Sequence, residues 1–168
     1  MAEIDFITQV HTSTRRDYLA RVTRDDKAAC AELALKWDRE YWDGDRTTGY
    51  GGFRYDGRWR SVAEKMAAHY NLPPNAKILD VGCGKGFLLY EFTQVLPEAE
   101  VAGIDISAYA VEHSKPEVRP FLRVGSAEKL PFGDAAFDFV VSINTLHNLY
   151  NYELWGALEE IERVGKGA

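Results

Sequence analysis

Residues 78–87 combine an acid with three glycines at alternate positions. The run reads Ile-Leu-Asp-Val-Gly-Cys-Gly-Lys-Gly-Phe, so that Asp80 stands two positions before the first glycine. Apolar residues then recur at helical spacing as far as Leu96. A strand, a glycine turn and a helix in this order let a ligand approach bare backbone at the carboxyl end of a sheet. The run therefore predicts a ligand-binding turn, with a purely structural tight turn as the alternative.

The positions of the acid and of the third glycine favour a cationic ligand over a dinucleotide. A dinucleotide fingerprint has its third glycine one position later than Gly86, where this sequence has Phe87. The carboxylate of Asp80 would also repel a diphosphate, whereas it suits a ligand that carries an ammonium group. A nicotinamide-dependent oxidoreductase is therefore the weaker hypothesis.

A second acid stands where the ribose of a nucleoside would need one. Residues 101–106 read as a short buried parallel strand, and Asp105 comes 19 residues after Gly86 (105 − 86). At this distance an acid at the end of the second strand meets the ribose of a bound nucleoside. A carboxylate can accept hydrogen bonds from both of its vicinal hydroxyls. Capping of a helix predicted over 107–113 is the alternative role, and the two roles can coexist.

The pattern D-x-G-x-G-x-G resembles motif I of the class I S-adenosylmethionine-dependent methyltransferases. Two further segments resemble the same family: residues 125–132, after a third predicted strand, and residues 144–149, after a fourth. Together with motif I and the strand-end acid Asp105, they make four landmarks, and the resemblance covers roughly residues 60–164 in the family's order. In the third landmark Ser126 replaces the usual acid, so its hydrogen bond with adenine would lack charge assistance.

The resemblance implies S-adenosylmethionine as the cofactor, S-adenosylhomocysteine as its product, and a set of residues that bind it. Asp80 would hold the methionyl ammonium and Asp105 the ribose. Arg58 or Arg54 would pair with the methionyl carboxylate. The other cofactor contacts implied by the resemblance are Gly82, Cys83, Gly84, Gly86, Ile106, Ser126, Ala127 and Asn144.

His147 follows the fourth predicted strand, at the place that would face the methyl group. Imidazole titrates near neutrality and suits a general base, although a histidine that only packs or caps is the alternative. The Pro-Pro-Tyr signature of many amino-group methyltransferases acting on nucleic acid or protein is absent. We therefore predict an S-adenosylmethionine-dependent methyltransferase (EC 2.1.1.-) acting on an oxygen or nitrogen of a small molecule. A catalytically silent protein that still binds the cofactor is the alternative.

The composition and charge exclude several other classes. The net charge is −6 and the isoelectric point about 5.3, which argues against general binding to nucleic acid or to an anionic membrane. No apolar run approaches the roughly 20 residues that span a bilayer, and the first residues lack a secretory signal. Cys30 and Cys83 are isolated, which indicates a reducing compartment and no metal site. The sequence predicts a cytoplasmic protein.

Strands and helices alternate over residues 59–168, which predicts an α/β domain. Strands are expected at 76–81, 101–106, 120–125 and 137–143, and a last helix at 152–164 with an outward acidic face of Glu159, Glu160 and Glu162. The resemblance to the methyltransferase family implies parallel strands in the order 3-2-1-4 with helices on both faces, which is a Rossmann-like three-layer αβα sandwich. The fourth strand would leave an open edge, so we expect a truncated chain, or cover by another segment or by a second subunit of a homo-oligomer.

Residues 1–58 are predicted to form a helical extension that ends in a lid. Helical spacing runs through Tyr18, Leu19 and Val22, and a further helix is expected from 25–26 to Tyr41. Residues 41–59 then alternate aromatics, glycines and arginines without a regular pattern. Because large aromatic side chains need a surface to cover, the prediction is a cap over the cofactor or substrate pocket, with a structural Ω-loop as the alternative.

Overall fold

A computed structural model of the chain describes residues 4–8, 10 and 26–167. The chain falls into two compact units, Met1–Arg58 and Trp59–Ala168. The helix predicted through Tyr18, Leu19 and Val22 lies outside the described residues. None of the described helices is long and apolar enough to cross a membrane.

Within residues 26–58, the first unit contains two short helices where the sequence predicted one. Helix α1 spans Lys27–Ala34 and helix α2 spans Arg39–Trp42. The prediction of one helix from 25–26 to Tyr41 is therefore wrong. The helix is interrupted because Trp37 adopts a left-handed backbone, with φ of 50°. Asp38 then starts a new helix, since its Oδ1 accepts the hydrogen bond of Arg39 N at 2.7 Å.

The aromatic side chains of this unit pack against one another. Trp42 is buried and stacks on Tyr50, with ring centroids 5.4 Å apart, and Phe53 lies 4.4 Å from Tyr50. The backbone N–H groups of Gly52 and Phe53 both donate to Trp42 O. The loop after α2 therefore has a small core of its own. Its role as a lid stays a prediction.

The second unit is built on a parallel sheet. Its strands are β1 (Lys77–Val81), β2 (Glu100–Asp105), β3 (Leu122–Val124) and β4 (Phe139–Val141), and its helices are α3 (Arg60–His69), α4 (Phe87–Val95), α5 (Ala108–Glu112) and α6 (Asn151–Val164). The four strands are parallel in the order β3-β2-β1-β4. The predicted strand order is confirmed.

Helices cover both faces of this sheet. On one face, α4 packs against α3, and Phe92 of α4 contacts the ring of Phe139 in β4. On the other face, Leu79 and Val81 of β1 share a buried cluster with Ala157 and Val164 of α6. Alternate residues of a strand point to opposite faces, so β1 is buried on both sides. The three-layer αβα sandwich is confirmed.

The two outer strands are shorter than predicted. A 3-10 turn at Arg119–Phe121 replaces the start of the third predicted strand. The fourth keeps only Phe139–Val141 in the sheet, where it pairs with β1 on one side. Along its other edge, the described residues provide one parallel bridge, between Phe137 and Gly165. Association of two chains through this edge stays a prediction.

Arg163 fixes the long loop between β3 and β4 onto α6. Its guanidinium donates to the carbonyls of Leu130 and Phe132 and to the carboxylates of Glu160 and Asp134. Glu160 also accepts from Leu130 N at 2.7 Å. The expectation that Glu160 points outward is therefore wrong. Its carboxylate accepts the hydrogen bond of a backbone N–H that has no partner within the loop.

Gly103, in the middle of β2, provides a test of packing under the ligand-binding turn. A Cβ at this position would lie 2.6 Å from Leu122 Cδ2 and 2.7 Å from Cys83 Sγ. We expect Gly103→Ala to lower the free energy of unfolding by about 1–3 kcal/mol, because the surrounding core must shift. Urea unfolding measures this. Gly133→Ala is the matched control, since its Cβ would meet nothing within 4 Å, and equal stability of the two variants would contradict the prediction.

Candidate functional site

Two carboxylates lie side by side at the carboxyl ends of neighbouring strands. β1 and β2 are parallel with Val81 opposite Ile104, so Asp80 is one residue from the end of β1 and Asp105 ends β2. Asp80 is 4% exposed and Asp105 is 7% exposed. Burial removes water from both groups, and their like charges repel each other across the strand pair. The pKa of each acid at this edge of the sheet is therefore raised.

The carboxylate of Asp105 is held by two backbone donors. Its Oδ2 accepts from Gly84 N at 2.7 Å and its Oδ1 from Ser107 N at 2.8 Å. Burial raises the pKa of Asp105, while these two hydrogen bonds act in the opposite direction. Ser107 in turn caps α5 by accepting from Ala110 N. Asp105 thus ties the glycine turn to the start of the next helix. Each of its carboxylate oxygens accepts one hydrogen bond and keeps a second lone pair for another donor.

The carboxylate of Asp80 has no such support. It accepts no hydrogen bond from any residue that the structure describes. Burial, and then the negative charge of Asp105, raise the pKa of Asp80 to about 8. A buried carboxylate without donors becomes favourable in its ionised form only when a cation comes beside it. The site is therefore built to receive positive charge.

The glycine turn connects these acids to the loop after β4. Gly82, Gly84 and Gly86 all have positive φ, at 84°, 54° and 70°. Gly82 also has no room for a side chain, because a Cβ would lie 1.9 Å from Thr145 Oγ1. The N–H groups of Gly82 and Cys83 both donate to Ile104 O. The turn therefore lies closely between the ends of β2 and β4.

Cys83 has an unreactive thiol. Its side chain is buried, and burial, with the charges of Asp80 and Asp105, raises the pKa of the thiol well above its ordinary value. The thiolate is the nucleophilic form of cysteine. Cys83 therefore fits a role as a small residue inside the turn, which leaves its backbone for a ligand.

The residues predicted to surround adenine follow β2 and β3. Ile106 comes directly after Asp105 and is 58% exposed. Gly125 N donates to Asp105 O, which brings the start of the next turn to the same edge. In that turn the Ser126 hydroxyl accepts from Glu128 N at 3.2 Å and donates to Glu128 Oε2 at 3.3 Å, whereas Ala127 is buried. An exposed apolar side chain and a turn backbone therefore flank Asp105.

The predicted catalytic residue lies in the loop after β4. His147 is exposed within a 3-10 turn at Leu146–Asn148, and its ring has no hydrogen bond to any described residue. Asn144 starts this loop with a positive φ of 56°. The loop is closed by Asn148, whose side-chain amide donates to Asn144 O and Thr145 O. The structure positions the loop but does not hold the imidazole.

Arg58 belongs to the first unit. Its guanidinium forms a bidentate pair with Asp56, in which Arg58 Nε lies 2.7 Å from Asp56 Oδ2. This pairing lowers the pKa of Asp56 and raises that of Arg58. A contact of Arg58 or Arg54 with the cofactor stays a prediction.

Three hydroxyl residues that support the site were not predicted as part of it. Ser107 holds Asp105 through its backbone, Thr145 packs against Gly82, and Ser142 donates its hydroxyl to Val81 O at 2.8 Å. Ser107 was readable as a helix cap, because it precedes an amphipathic segment. The roles of Thr145 and Ser142 could not be predicted from the neighbouring sequence, because their hydrogen-bond partners are more than 60 residues away.

This arrangement suits a small organic cation better than a metal ion. The described residues contain no group of three or more His, Cys, Asp or Glu side chains placed to hold a metal. The two acids are instead followed by glycine backbone and by the exposed apolar side chain of Ile106. Such an arrangement can bind a ligand that combines a positive charge, sugar hydroxyls and a flat ring.

Comparisons with known proteins agree with this chemistry. The family described as "Methyltransferase domain" matches residues 79–167. The chain is 32% identical over 115 residues to a demethylmenaquinone methyltransferase of Roseiflexus sp., covering 66% of this chain and 46% of that protein. It is 35% identical over 118 residues to the demethylmenaquinone methyltransferase of Symbiobacterium thermophilum, with the same two coverages. The chain thus spans about half the length of the curated relatives it matches.

A solved structure shows the same fold. A SAM-dependent methyltransferase from Aquifex aeolicus superposes with a TM-score of 0.52 at 24% identity, covering 85% of this chain and 69% of that one. The family match covers more than half of the chain and includes the strand-end acids and the glycine turn. The chain therefore belongs to the methyltransferase domain family, as the glycine run and the two acids predicted.

Proposed function

We propose that this chain binds S-adenosylmethionine at the carboxyl ends of β1, β2 and β3 and transfers its methyl group to a small-molecule acceptor. The observation that supports this most directly is the buried carboxylate of Asp80, which has no hydrogen bond from the described residues. The ammonium of a methionyl group is a cation of the right size for it. Family membership implies the same cofactor.

The other residues of the site then have complementary roles. The free lone pairs of Asp105 accept hydrogen bonds from the two ribose hydroxyls. Ile106 covers one face of the adenine ring, and the backbone N–H of Ala127 donates to a ring nitrogen. The turn from Gly82 to Gly86 lets the methionyl part lie against backbone, because three of its five residues have no side chain.

Alignment is the main task of the protein in this reaction. When bound, the cofactor supplies a methyl group that is already activated by its positively charged sulfur. The chain's own residues therefore need to hold an acceptor in line with that group. His147 would act as the general base, taking up the proton that an acceptor hydroxyl or amine loses when it is methylated. The relatives' names suggest a quinone-related acceptor as a further class to test.

A cofactor-binding protein without catalysis is the second candidate. One observation favours it: no described residue holds the His147 ring in place. General bases are usually oriented by a hydrogen-bonding partner. The two candidates share cofactor binding and differ in what His147 does.

Cofactor binding is tested by calorimetry with S-adenosylmethionine. We expect binding to the wild-type chain, and a loss of affinity of tenfold or more in Asp105→Asn, because the variant loses the charge that strengthens the ribose hydrogen bonds and disturbs the Gly84 contact. Glu100→Gln is the matched control, since it removes an exposed acid at the other end of β2. No binding by the folded wild-type chain would refute both candidates, and unchanged affinity in Asp105→Asn would refute the ribose assignment.

Affinity for the cofactor should rise with pH. Because the pKa of Asp80 is about 8, this group is mostly protonated at pH 7 in the free protein, and it must ionise to pair with the ammonium. Binding at pH 7 should therefore release close to one proton, and affinity should increase about tenfold per pH unit between 6 and 7. Calorimetry in buffers of different ionisation enthalpy measures the proton count.

Asp80→Asn checks that this proton comes from Asp80. The variant should bind more weakly than wild type at pH 8 and should release no proton at pH 7. A second measurement needs no ligand. Because the pKa of Asp80 is raised in the folded protein, the free energy of unfolding of the wild type should fall as the pH rises from about 4 to 8. In Asp80→Asn this contribution to the pH dependence should be absent. If cofactor binding still releases a proton in Asp80→Asn, that proton comes from another group.

Removal of His147 separates the two candidate functions. If His147 is the general base, His147→Ala should lower methyl transfer by about 10²–10⁴-fold and leave the dissociation constant of the cofactor unchanged. Transfer of labelled methyl groups to phenol, amine and quinol acceptors measures the rate. His69→Ala is the control, as it removes an exposed histidine at the end of α3. Equal rates in the two variants would support a packing role for His147.

A further inference from the structure

The start of α6 exposes three large aromatic side chains. Tyr150 is 67% exposed, Tyr152 is 72% exposed and Trp155 is 69% exposed. The rings of Tyr150 and Tyr152 are parallel to within 8°, with centroids 5.8 Å apart. Tyr152 and Trp155 are three residues apart on a helix and so share a face. Exposed aromatic groups gathered at one place mark an interaction surface.

Carboxylates border these rings. Glu153 accepts from Tyr150 N at 2.8 Å, and a side chain at Gly156 would lie 3.7 Å from Glu128. Glu159 is exposed on the same side of α6, one helical turn beyond Trp155. Glu153 first, and Glu128 to a smaller extent, raise the pKa of the Tyr152 phenol. We call Tyr150, Tyr152, Trp155 and these three glutamates the aromatic–acidic face.

The charge of this face decides between possible occupants. A second copy of the same face would bring like charges together, and the whole chain carries a net charge of −6. An anionic membrane would be repelled for the same reason. A positively charged group is attracted both by the carboxylates and by the faces of the rings.

The shape of the face favours a polypeptide over a small cation. A cage for a small ammonium ion needs rings that enclose it, whereas Tyr150 and Tyr152 are parallel and lie open to solvent on a helix. The face extends from Tyr150 to Glu159, more than two helical turns. An extended segment can place several side chains along such a length. Trp and Tyr are also the residues that dominate binding at protein interfaces.

We propose that the aromatic–acidic face of α6 binds a basic segment of a partner protein. Arg or Lys side chains of the segment lie over the rings of Tyr152 and Trp155 and pair with Glu128, Glu153 and Glu159. This interaction uses none of the residues assigned to cofactor binding or proton removal. It is therefore independent of the proposed methyl transfer.

Fluorescence anisotropy with a labelled peptide of alternating arginine and glycine tests this. We expect the wild-type chain to bind it, and Tyr152→Ser combined with Trp155→Ser to weaken binding by about tenfold or more, since both rings are lost while every charge remains. The matched control combines Glu98→Gln with Glu112→Gln, which removes two exposed acids elsewhere. This control should change the affinity by less than about twofold. Thermal melting and cofactor calorimetry verify that each variant is folded.

Several outcomes would overturn the proposal. These are no binding of the arginine peptide at millimolar concentration, equal binding of a glutamate–glycine peptide, or unchanged affinity in the aromatic variant. A larger loss in the Glu98 and Glu112 control would show general attraction to an acidic protein. Self-association of the chain that disappears in the aromatic variant would assign the face to a second copy, and binding to phosphatidylserine vesicles that it abolishes would assign it to a membrane.

Discussion

The structure depends on two carboxylates buried side by side at the ends of β1 and β2. Parallel register places Asp80 and Asp105 on neighbouring strands, so neither can move away without breaking the sheet. Both are buried. The protein satisfies one acid with the N–H groups of Gly84 and Ser107 and leaves the other without a donor. Asp105 is therefore part of the framework of the turn, whereas Asp80 is the carboxylate that we propose pairs with the cofactor.

Contacts with residues distant in sequence determine the backbone of the glycine turn and of the loop between β3 and β4. The first glycine of the turn has no side chain because Thr145 of the following loop occupies that space. Between β3 and β4 the described chain has no α-helix, and Arg163 holds the loop there through carbonyls and carboxylates. A lysine could not replace it, because a single ammonium cannot reach this set of acceptors in one plane. Long-range polar contacts thus fix the loop that carries Ala127.

The sequence patterns were sufficient for the strands of the sheet and for the two acids, and the family resemblance supplied the strand order. These features have local signatures, namely short apolar runs, a glycine turn and acids at strand ends. The break at Trp37 was missed, since periodicity does not show that one residue adopts a left-handed backbone. The inward turn of Glu160 was missed as well, because its partner Leu130 is 30 residues away. Sequence patterns therefore predict local structure well, whereas hydrogen bonds between residues distant in the sequence are poorly predicted.

The proposed cofactor site and the proposed docking face attract cations by different physical means. At the strand ends the acids are buried, so selection depends on desolvation and on pairing with one charge. On α6 the carboxylates are exposed beside open rings, where each contact is weak and salt screens it. Binding at the first site should therefore change little with ionic strength, while binding at the second should fall steeply. The dependence of affinity on salt concentration should therefore distinguish the proposed cofactor site from the proposed docking face, although both attract cations.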